Sequence, residues 1–487
     1  MSWSNNRSPR RVRAVISLAP VAALSAGLAA CMAGPNYVAP EAPKSTTYTV
    51  DPLTNLRGSP SKLDSAIAGP GEWWSLLDSS RLDATIRQAL RANRSLEAAR
   101  STLAEARALD VVSEAGRYPN VALDASASRQ KYGAAFLGPN FRLPPFNAYS
   151  IGPAVSYTFD FAGGVRRAIE QQHSIADYQQ RELEAAALSV SGNVAMQALA
   201  AATARAQIEN LDALLEDDRK DLQLVQDSFA AGSATRVDVL AAQSQLANDQ
   251  TQLPPLRRDL SAAMHALSLL VGQTPSDWTA PDFKLNEFNL PPRLPLTLPS
   301  ELAHRRPDIL AAEAQLHAAT AAVGVAGANL YPQISLTAAA SLQTNVLHTL
   351  FDAKSDAGGL SGNLVAPLFD HGALRGKQRA AVAAMHTALA GYEQVILNSF
   401  GQVADALEDL NHDEELLTGE RSAVATAADN LALTRESYSA GNSGVLQVLE
   451  AERQNQQARI GMVRAQSQRL QDTVQLLLAL GGGVPVA

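Results

Sequence analysis

The sequence predicts a mainly α fold with a smaller β part, arranged as a tandem repeat. Three observations carry this. Two stretches of more than sixty residues, from Ala162 and from Leu374, run without proline, four short segments change to the two-residue period of strands, and the order of elements occurs twice. Composition agrees: 46% of residues are hydrophobic and 5% aromatic, with alanine abundant. That balance suits long, closely packed helices better than an aromatic-centred core.

The N-terminus reads as a removable segment. Arg7, Arg10, Arg11 and Arg13 precede an uncharged apolar run from Ala14 to Ala30, the plan of a secretory signal over residues 1–30. The run ends in Leu28-Ala29-Ala30-Cys31, and Cys31 is the only cysteine, so no disulfide forms within one chain. Small residues before a sole cysteine resemble a bacterial lipoprotein cleavage and lipidation site, with a palmitate-type chain on Cys31 as the only attached group expected. Acylation holds the mature end at a membrane, since each buried methylene contributes about 0.8 kcal/mol. Met32 in place of aspartate, by analogy with lipoproteins, permits sorting to the outer membrane. Residues 31–72 carry six prolines, from Pro35 to Pro70, and read as a lipidated, extended tether. Removing the four arginines takes the formal charge from −8 to −12, which excludes nucleic acid as a partner. After the signal no uninterrupted run of about 18 apolar residues occurs. Any membrane crossing therefore falls to strands.

The first repeat covers residues 73–273. Leu82, Ile86, Leu90, Leu96, Leu103 and Leu109 keep helical spacing from Ser80 to about Gly116, and Tyr118-Pro119 ends the helix. Val121, Leu123, Ala125 and Ala127 then alternate with Ala122, Asp124, Ser126 and Ser128, the spacing of a strand with one small polar face. A second strand places Tyr149, Ile151, Val155, Tyr157 and Phe159 on its apolar side, with Pro153 predicting a local irregularity. From Ala162 to Ala230 the sequence favours helix throughout, about 100 Å of it at 1.5 Å per residue. Ala231-Gly232-Ser233 turns the chain, and a helix from about Arg236 to Leu270 returns, kinked or broken at Pro254-Pro255.

Residues 274–300 hold six prolines and read as an irregular linker. The second repeat, 301–483, restarts the order: helix Pro307 to Asn329, strands Gln333 to Gln343 and Gly359 to Phe369, helix Leu374 to Ser439, then helix to about Leu480. Tyr118-Pro119 matches Tyr331-Pro332, Phe159-Asp160 matches Phe369-Asp370, and Ser228 to Gly232 matches Ser437 to Gly441, at offsets of 213, 210 and 209. Three matches in order across strand, helix and turn establish a duplication.

The strands set a geometric demand. Their lengths approach the 9 to 11 residues of a tilted membrane strand, and their polar faces are small, as inside a water-filled barrel. Four strands cannot close, and an open edge is forbidden in lipid. Eight strands would be filled by side chains, whereas twelve leave a channel, so conduction predicts a homotrimer with a twelve-stranded transmembrane β-barrel and an α-barrel of long helices.

Leu298-Pro299-Ser300-Glu301-Leu302, Arg305-Arg306-Pro307-Asp308-Ile309, Ala312-Glu313 and Leu330 to Leu336 closely resemble the signature of TolC-type outer-membrane factors in their lipoprotein (NodT/OprM-like) branch, as does Gly34-Pro35-Asn36-Tyr37. The resemblance runs from Cys31 to about Gly483. It implies an outer-membrane, lipid-anchored exit duct of a tripartite efflux system (RND-type), with its helical part in the periplasm. A periplasmic adaptor and an inner-membrane pump are the implied partners, small molecules such as drugs the implied cargo, and antibiotic resistance the implied phenotype. In that family the hairpin tips dock the adaptor, which points to Gly232 and Gly441, although any helical turn favours glycine. Inward acids near the tips narrow the periplasmic gate, which points to Asp238, Gln447 and Glu450. An ordinary solvated face would hold acids equally well, and Gln447 stands where TolC itself has an acid.

Arg306-Pro307-Asp308 reads as a helix start. His412-Asp413-Glu414-Glu415 has the residue types of a metal site, but adjacent residues share no helix face, so it reads as a solvated charged patch. No catalytic motif occurs, and no enzymatic chemistry is expected. Alternatives within reach of the same features are a type I secretion duct for proteins and a helical scaffolding lipoprotein of the envelope, the latter disfavoured by the strands.

Overall fold

The computed structural model describes residues 32–41, 45–49, 62–64, 71–132 and 144–483. The signal, Cys31 and much of the proline-rich tether lie outside them. Along the chain run β1 (Lys62–Asp64), α1 (Ser80–Ala92), α2 (Arg94–Ala115), β2 (Asn120–Gln130), β3 (Phe146–Phe159), α3 (Gly164–Ala230), α4 (Arg236–Gln250), α5 (Leu253–Leu270), β4 (Arg293–Pro295), α6 (Pro299–Leu302), α7 (Pro307–Ala328), β5 (Gln333–Thr344), β6 (Asp356–Val365), α8 (Ala373–Ser439) and α9 (Val445–Ala479). By contacts the chain falls into two compact units, one of residues 109–173 and 317–386 with the N-terminal segment to Tyr37, the other of 38–108, 174–316 and 387–487. Each unit draws on both sequence repeats.

In the first unit β2, β3, β5 and β6 form one antiparallel sheet in that order, so the two hairpins meet along β3 and β5. The register pairs Val121 with Val155, Val155 with Ala338 and Ala338 with Leu360. Because side chains alternate, these pairings put the apolar sets of all four strands on one face. The other face carries Asp124, Ser126, Ser156, Thr158, Ser335, Thr337 and Asn363. Pro153 has no amide to donate, and the β3–β5 pairing skips Gly152 and Pro153. Gly152 is required there, since a Cβ would lie 2.2 Å from the Ala340 carbonyl oxygen.

β6 corrects the sequence expectation of Gly359 to Phe369. It starts at Asp356 and stops at Val365, because Pro367 cannot extend the ladder. Leu368 and Phe369 beyond it are 94% and 81% exposed.

The matched Phe-Asp pairs have a physical reason. Asp160 accepts from the amides of Val165 and Arg166 (both 2.9 Å), and Asp370 from those of Gly372 and Leu374 (2.9 and 2.7 Å). Each aspartate thus satisfies the orphan donors that open one of the 67-residue helices.

In the second unit the single helix expected from Ser80 is broken at Asn93. Its Oδ1 accepts from the amides of Ser95 and Leu96 (3.0 and 3.2 Å), starting α2 afresh, while its Nδ2 donates to the Leu270 carbonyl at 2.9 Å. The return helix breaks at Thr251-Gln252, and Pro254-Pro255 occupy the opening turn of α5, where an amide is dispensable. The core centres on Trp73 and Trp74 with Leu82, Leu199 and Phe283, all at most 1% exposed, and Trp73 Nε1 donates to Ser191 Oγ at 3.0 Å. Arg306, 7% exposed, holds Asp308 with two bonds (3.0 and 2.7 Å) and donates to the last α9 carbonyl, Ala479, at 2.9 Å. The helix-start reading of this arginine is thus extended to tying α7 to α9.

The described parts of the tether pair with the linker. β1 pairs in parallel with β4, and the Tyr48 hydroxyl donates to the Thr297 carbonyl at 2.7 Å. Two helices, α3 and α7, do contain windows long and apolar enough by composition to cross a bilayer, which qualifies the expectation of none; more than half of the α3 window is buried within the protein.

Gly272 closes α5 at φ +75°, where a Cβ would lie 2.1 Å from the Ala92 carbonyl oxygen, whereas Gly441, at φ +78°, has open space around it. Gly441→Ala is expected to destabilise by only the left-handed strain, about 1–2 kcal/mol. Gly272→Ala adds a backbone clash and should lower the thermal midpoint further. Equal midpoints for the two variants would show that the Ala92 backbone yields freely.

Candidate functional site

The sequence reading placed functional residues at the two turns between long helices, all in the second unit. Both turns are built alike. After α3, Gly232 (φ +76°) donates to Phe229 at 3.0 Å and Ser233 to Ser228 at 2.9 Å; after α8, Gly441 donates to Tyr438 and Asn442 to Ser437, both at 2.9 Å. These are the paired bonds of a glycine-terminated helix, in which a left-handed residue lets the last carbonyls be satisfied. Val225, Val239, Ala242, Val445 and Leu449, with Leu222 and Tyr438 against them, join the two turns in one small core. Outside it Phe229, Val237, Leu240 and Leu446 remain exposed.

Asp238 is the third residue of α4. It accepts from the Thr235 amide at 2.8 Å and hydroxyl at 2.7 Å, and its own amide donates to Thr235 Oγ1 at 3.3 Å, a reciprocal cap. These bonds, led by the Thr235 backbone, hold its carboxyl below the usual range and ionised. Gln447 occupies the same position in α9, where its Oε1 accepts from the Gly444 amide at 2.7 Å. Glycine has no side chain to return the bond, so this is half a box. The Asp/Gln difference between repeats therefore preserves one cap while changing its charge. Glu450 accepts from Arg453 (2.6 and 2.7 Å) and Gln454 (3.0 Å) within its own helix, and Arg453 chiefly keeps its carboxyl low. The structure brings none of Asp238, Gln447 and Glu450 into a bond with another.

What the sequence reading missed lies behind the turns. Asp217, Asp218 and Asp221 of α3, Asp249 of α4, Arg435 of α8 and Glu452 of α9 form an ionic cluster in which Asp218, Asp249 and Glu452 are buried and Arg435 is exposed. The signal was present as acids repeated at helical spacing from Glu216 to Asp221, beside a helix that must pack. The charged run at His412 needs correction for the same reason: Asp413 and Glu414 are 6% and 2% exposed rather than solvated, with Glu414 paired to Arg469 at 2.9 Å. Burial and then the neighbouring Asp472 push Asp413 up to about 7. Among the described residues no cluster suited to a metal ion occurs.

Cys31 lies outside the described residues, but the Gly-Pro-Asn-Tyr segment after it has a built seat in the first unit. Buried Arg167 donates to the Ala33 carbonyl at 3.3 Å, to Asn36 Oδ1 at 2.6 Å and to Glu170 at 2.6 Å. Glu170 in turn bonds His317 at 3.0 Å, and Tyr37 stacks on that imidazole at 4.2 Å. Gly34 lies against Gly324, where a Cβ would be 2.5 Å from the facing Cα.

The family model described as "Outer membrane efflux protein" matches residues 85–273 and 298–482. The pyoverdine export outer membrane protein OpmQ of Pseudomonas aeruginosa is 31% identical over 449 residues, covering 87% of this chain and 93% of that protein. The toluene efflux pump outer membrane protein TtgI of Pseudomonas putida is 28% identical over 464 residues, covering 94% and 97%. Among solved structures, the outer-membrane channel OprN superposes with a TM-score of 0.86 at 27% identity, covering 93% of this chain and 99% of that one.

The cap and charge of Asp238 can be separated. Asp238→Ala removes the acceptor and should raise hydrogen exchange around residues 233–240 by about fivefold, the equivalent of a lost cap near 1 kcal/mol. Asp238→Asn keeps an acceptor and should leave exchange within twofold of wild type. Equal acceleration in both variants would assign the effect to charge instead.

Proposed function

The chain belongs to the outer membrane efflux protein family, and on that premise we propose how its parts serve export. It is an outer-membrane channel, the exit duct of a tripartite efflux system, working as a homotrimer with a periplasmic adaptor and an inner-membrane pump. The single observation that carries the reading is the sheet: four strands of 11, 14, 12 and 10 residues whose register collects the apolar side chains on one face, with β2 and β6 as unpaired edges within the chain. Val121, Leu123, Leu360 and Leu364 on that face are 62–73% exposed. Water disfavours such a surface and lipid accepts it. The hydroxyl-rich face suits an aqueous lumen.

The cargo is small molecules. Relatives carry names for pyoverdine export and toluene efflux, and a passive aqueous conduit supports different cargoes through different pumps. The protein itself performs no catalysis and needs no bound cofactor beyond a lipid on Cys31, which with the docked Gly34 to Tyr37 segment tethers the mature end. The turns at Gly232 and Gly441 are the adaptor-docking tips, supported by their open left-handed glycines and exposed apolar neighbours. Asp238, Gln447 and Glu450 form the periplasmic gate, contributing two carboxylates and one amide per chain. Residues 73–273 and 301–483 are the two duct repeats, joined by 274–300.

The decisive test is the mass of the detergent-purified protein and its conductance in planar bilayers. A trimer that conducts is expected; a monomer, or a trimer that never conducts even as Asp238→Asn/Glu450→Gln, overturns the reading. The faces are tested separately. Leu123→Arg or Leu360→Arg on the apolar face should each cost about 2–4 kcal/mol at mid-bilayer and reduce the yield of membrane-inserted trimer. Ser126→Arg on the opposite face should insert normally and lower single-channel conductance. The reverse assignment would invert the barrel.

A further inference from the structure

Four helices from the two hairpins meet in the ionic cluster behind the turns, which passive conduction leaves without a role. Asp218 and Glu452 are 3% and 4% exposed. Asp218 on α3 is buried beside Asp249 on α4, and Asp221 on α3 neighbours buried Glu452 on α9. The first contact crosses one hairpin and the second joins the two halves of the chain.

Arg435 reaches two of the five carboxyl groups, Glu452 and Asp217. Arg435 Nε donates to Glu452 Oε1 at 3.2 Å, and its Nη2 lies 3.8 Å from Asp217 Oδ2. Gln245 and Gln252 donate to Asp249 at 2.6 and 2.8 Å, while Lys220 turns to Glu216 and Asp217 (2.9 and 3.4 Å). No donor meets Asp218 Oδ2, Asp221 Oδ2 or Glu452 Oε2 among the described residues. A carboxylate only accepts, so two of them in buried contact hold together when one is protonated and repel when neither is.

We propose that this cluster is a proton-held brace for the duct's closing end: shared protons tie α3, α4 and α9 together, and their loss at mildly alkaline pH loosens the turns. The inference rests on the reading of the turns as that closing end. At 1.5 Å per residue the cluster lies about 10–25 Å along the helices from Gly232 and Gly441.

Burial first, and neighbouring carboxyls second, push Asp218 up to about 7 and Glu452 up to about 8, with Arg435 opposing the shift on Glu452. Both values lie above those of free carboxyls, so the protonated pairs stabilise the packed helices fully below the ordinary carboxylate range. That stabilisation declines as pH rises and is lost once pH passes through about 7 and about 8.

The test is hydrogen exchange of the purified full-length protein at pH 6 to 9, corrected for intrinsic rates, followed over residues 217–252 and 435–456. Opening should rise about tenfold between pH 6.5 and 8.5, the equivalent of one unit of proton linkage. D218N/E452Q, whose amides donate without titrating, should stay protected throughout, and E452Q alone, for use should the double variant fail to assemble, should remove the upper transition. Conductance of the wild type should rise over the same interval. A flat wild-type profile, or an unchanged transition in the variants, overturns the brace. An exchange transition in a protein that never conducts supports the brace and counts against the duct.

Discussion

A strand edge carries amides and carbonyls that must be paired, and hydrocarbon offers them nothing. β2 and β6 are such edges, and the apolar face between them asks for lipid. On the proposed trimer both requirements are met when β2 of one copy pairs with β6 of the next until the ring closes. Eight strands from two copies would fill their own interior, while twelve from three leave a lumen. Oligomerisation is therefore the condition under which the sheet can exist in the membrane.

The helices answer a different constraint. A 67-residue helix lies far beyond the usual length for a globular protein, and propensity alone does not hold it in one geometry. Its start is fixed by Asp160, its end by Gly232, and its middle by zero-exposure packing of Val194, Ala198 and Leu199. α8 repeats the plan with Asp370 and Gly441. Small side chains let neighbouring backbones approach, and the charges that remain inside must then be paired or protonated.

Much of this was legible in the sequence where one local rule governs. Proline-free runs gave the long helices within a residue or two, the two-residue period gave the strands, and the duplicated Phe-Asp and Ala-Gly marks fell on helix starts and turns. The misses arose where tertiary context decides. Asn93 breaks a well-patterned helix because it binds Leu270, far along the chain. Pro367 truncates β6 although the repeat match continues to Asp370. At the tips the turn glycines were readable from spacing, but the cap formed by Asp238 depends on Thr235, a residue outside the matched segment. Asp218 and Glu452 carry no local mark of burial, because burial of a helix face is settled by its neighbours.

The seat of the N-terminal segment also orders events in time. Ala33 to Tyr37 rest on Arg167 and Glu170 of α3 and on His317 and Gly324 of α7. The segment cannot settle before residue 324 has been synthesised and α7 formed, and β3 likewise waits for β5, since Phe159 pairs with Ile334. Contacts this distant in sequence form slowly and leave the waiting partners uncovered. Residues near the start of the chain are thus among the last to be placed.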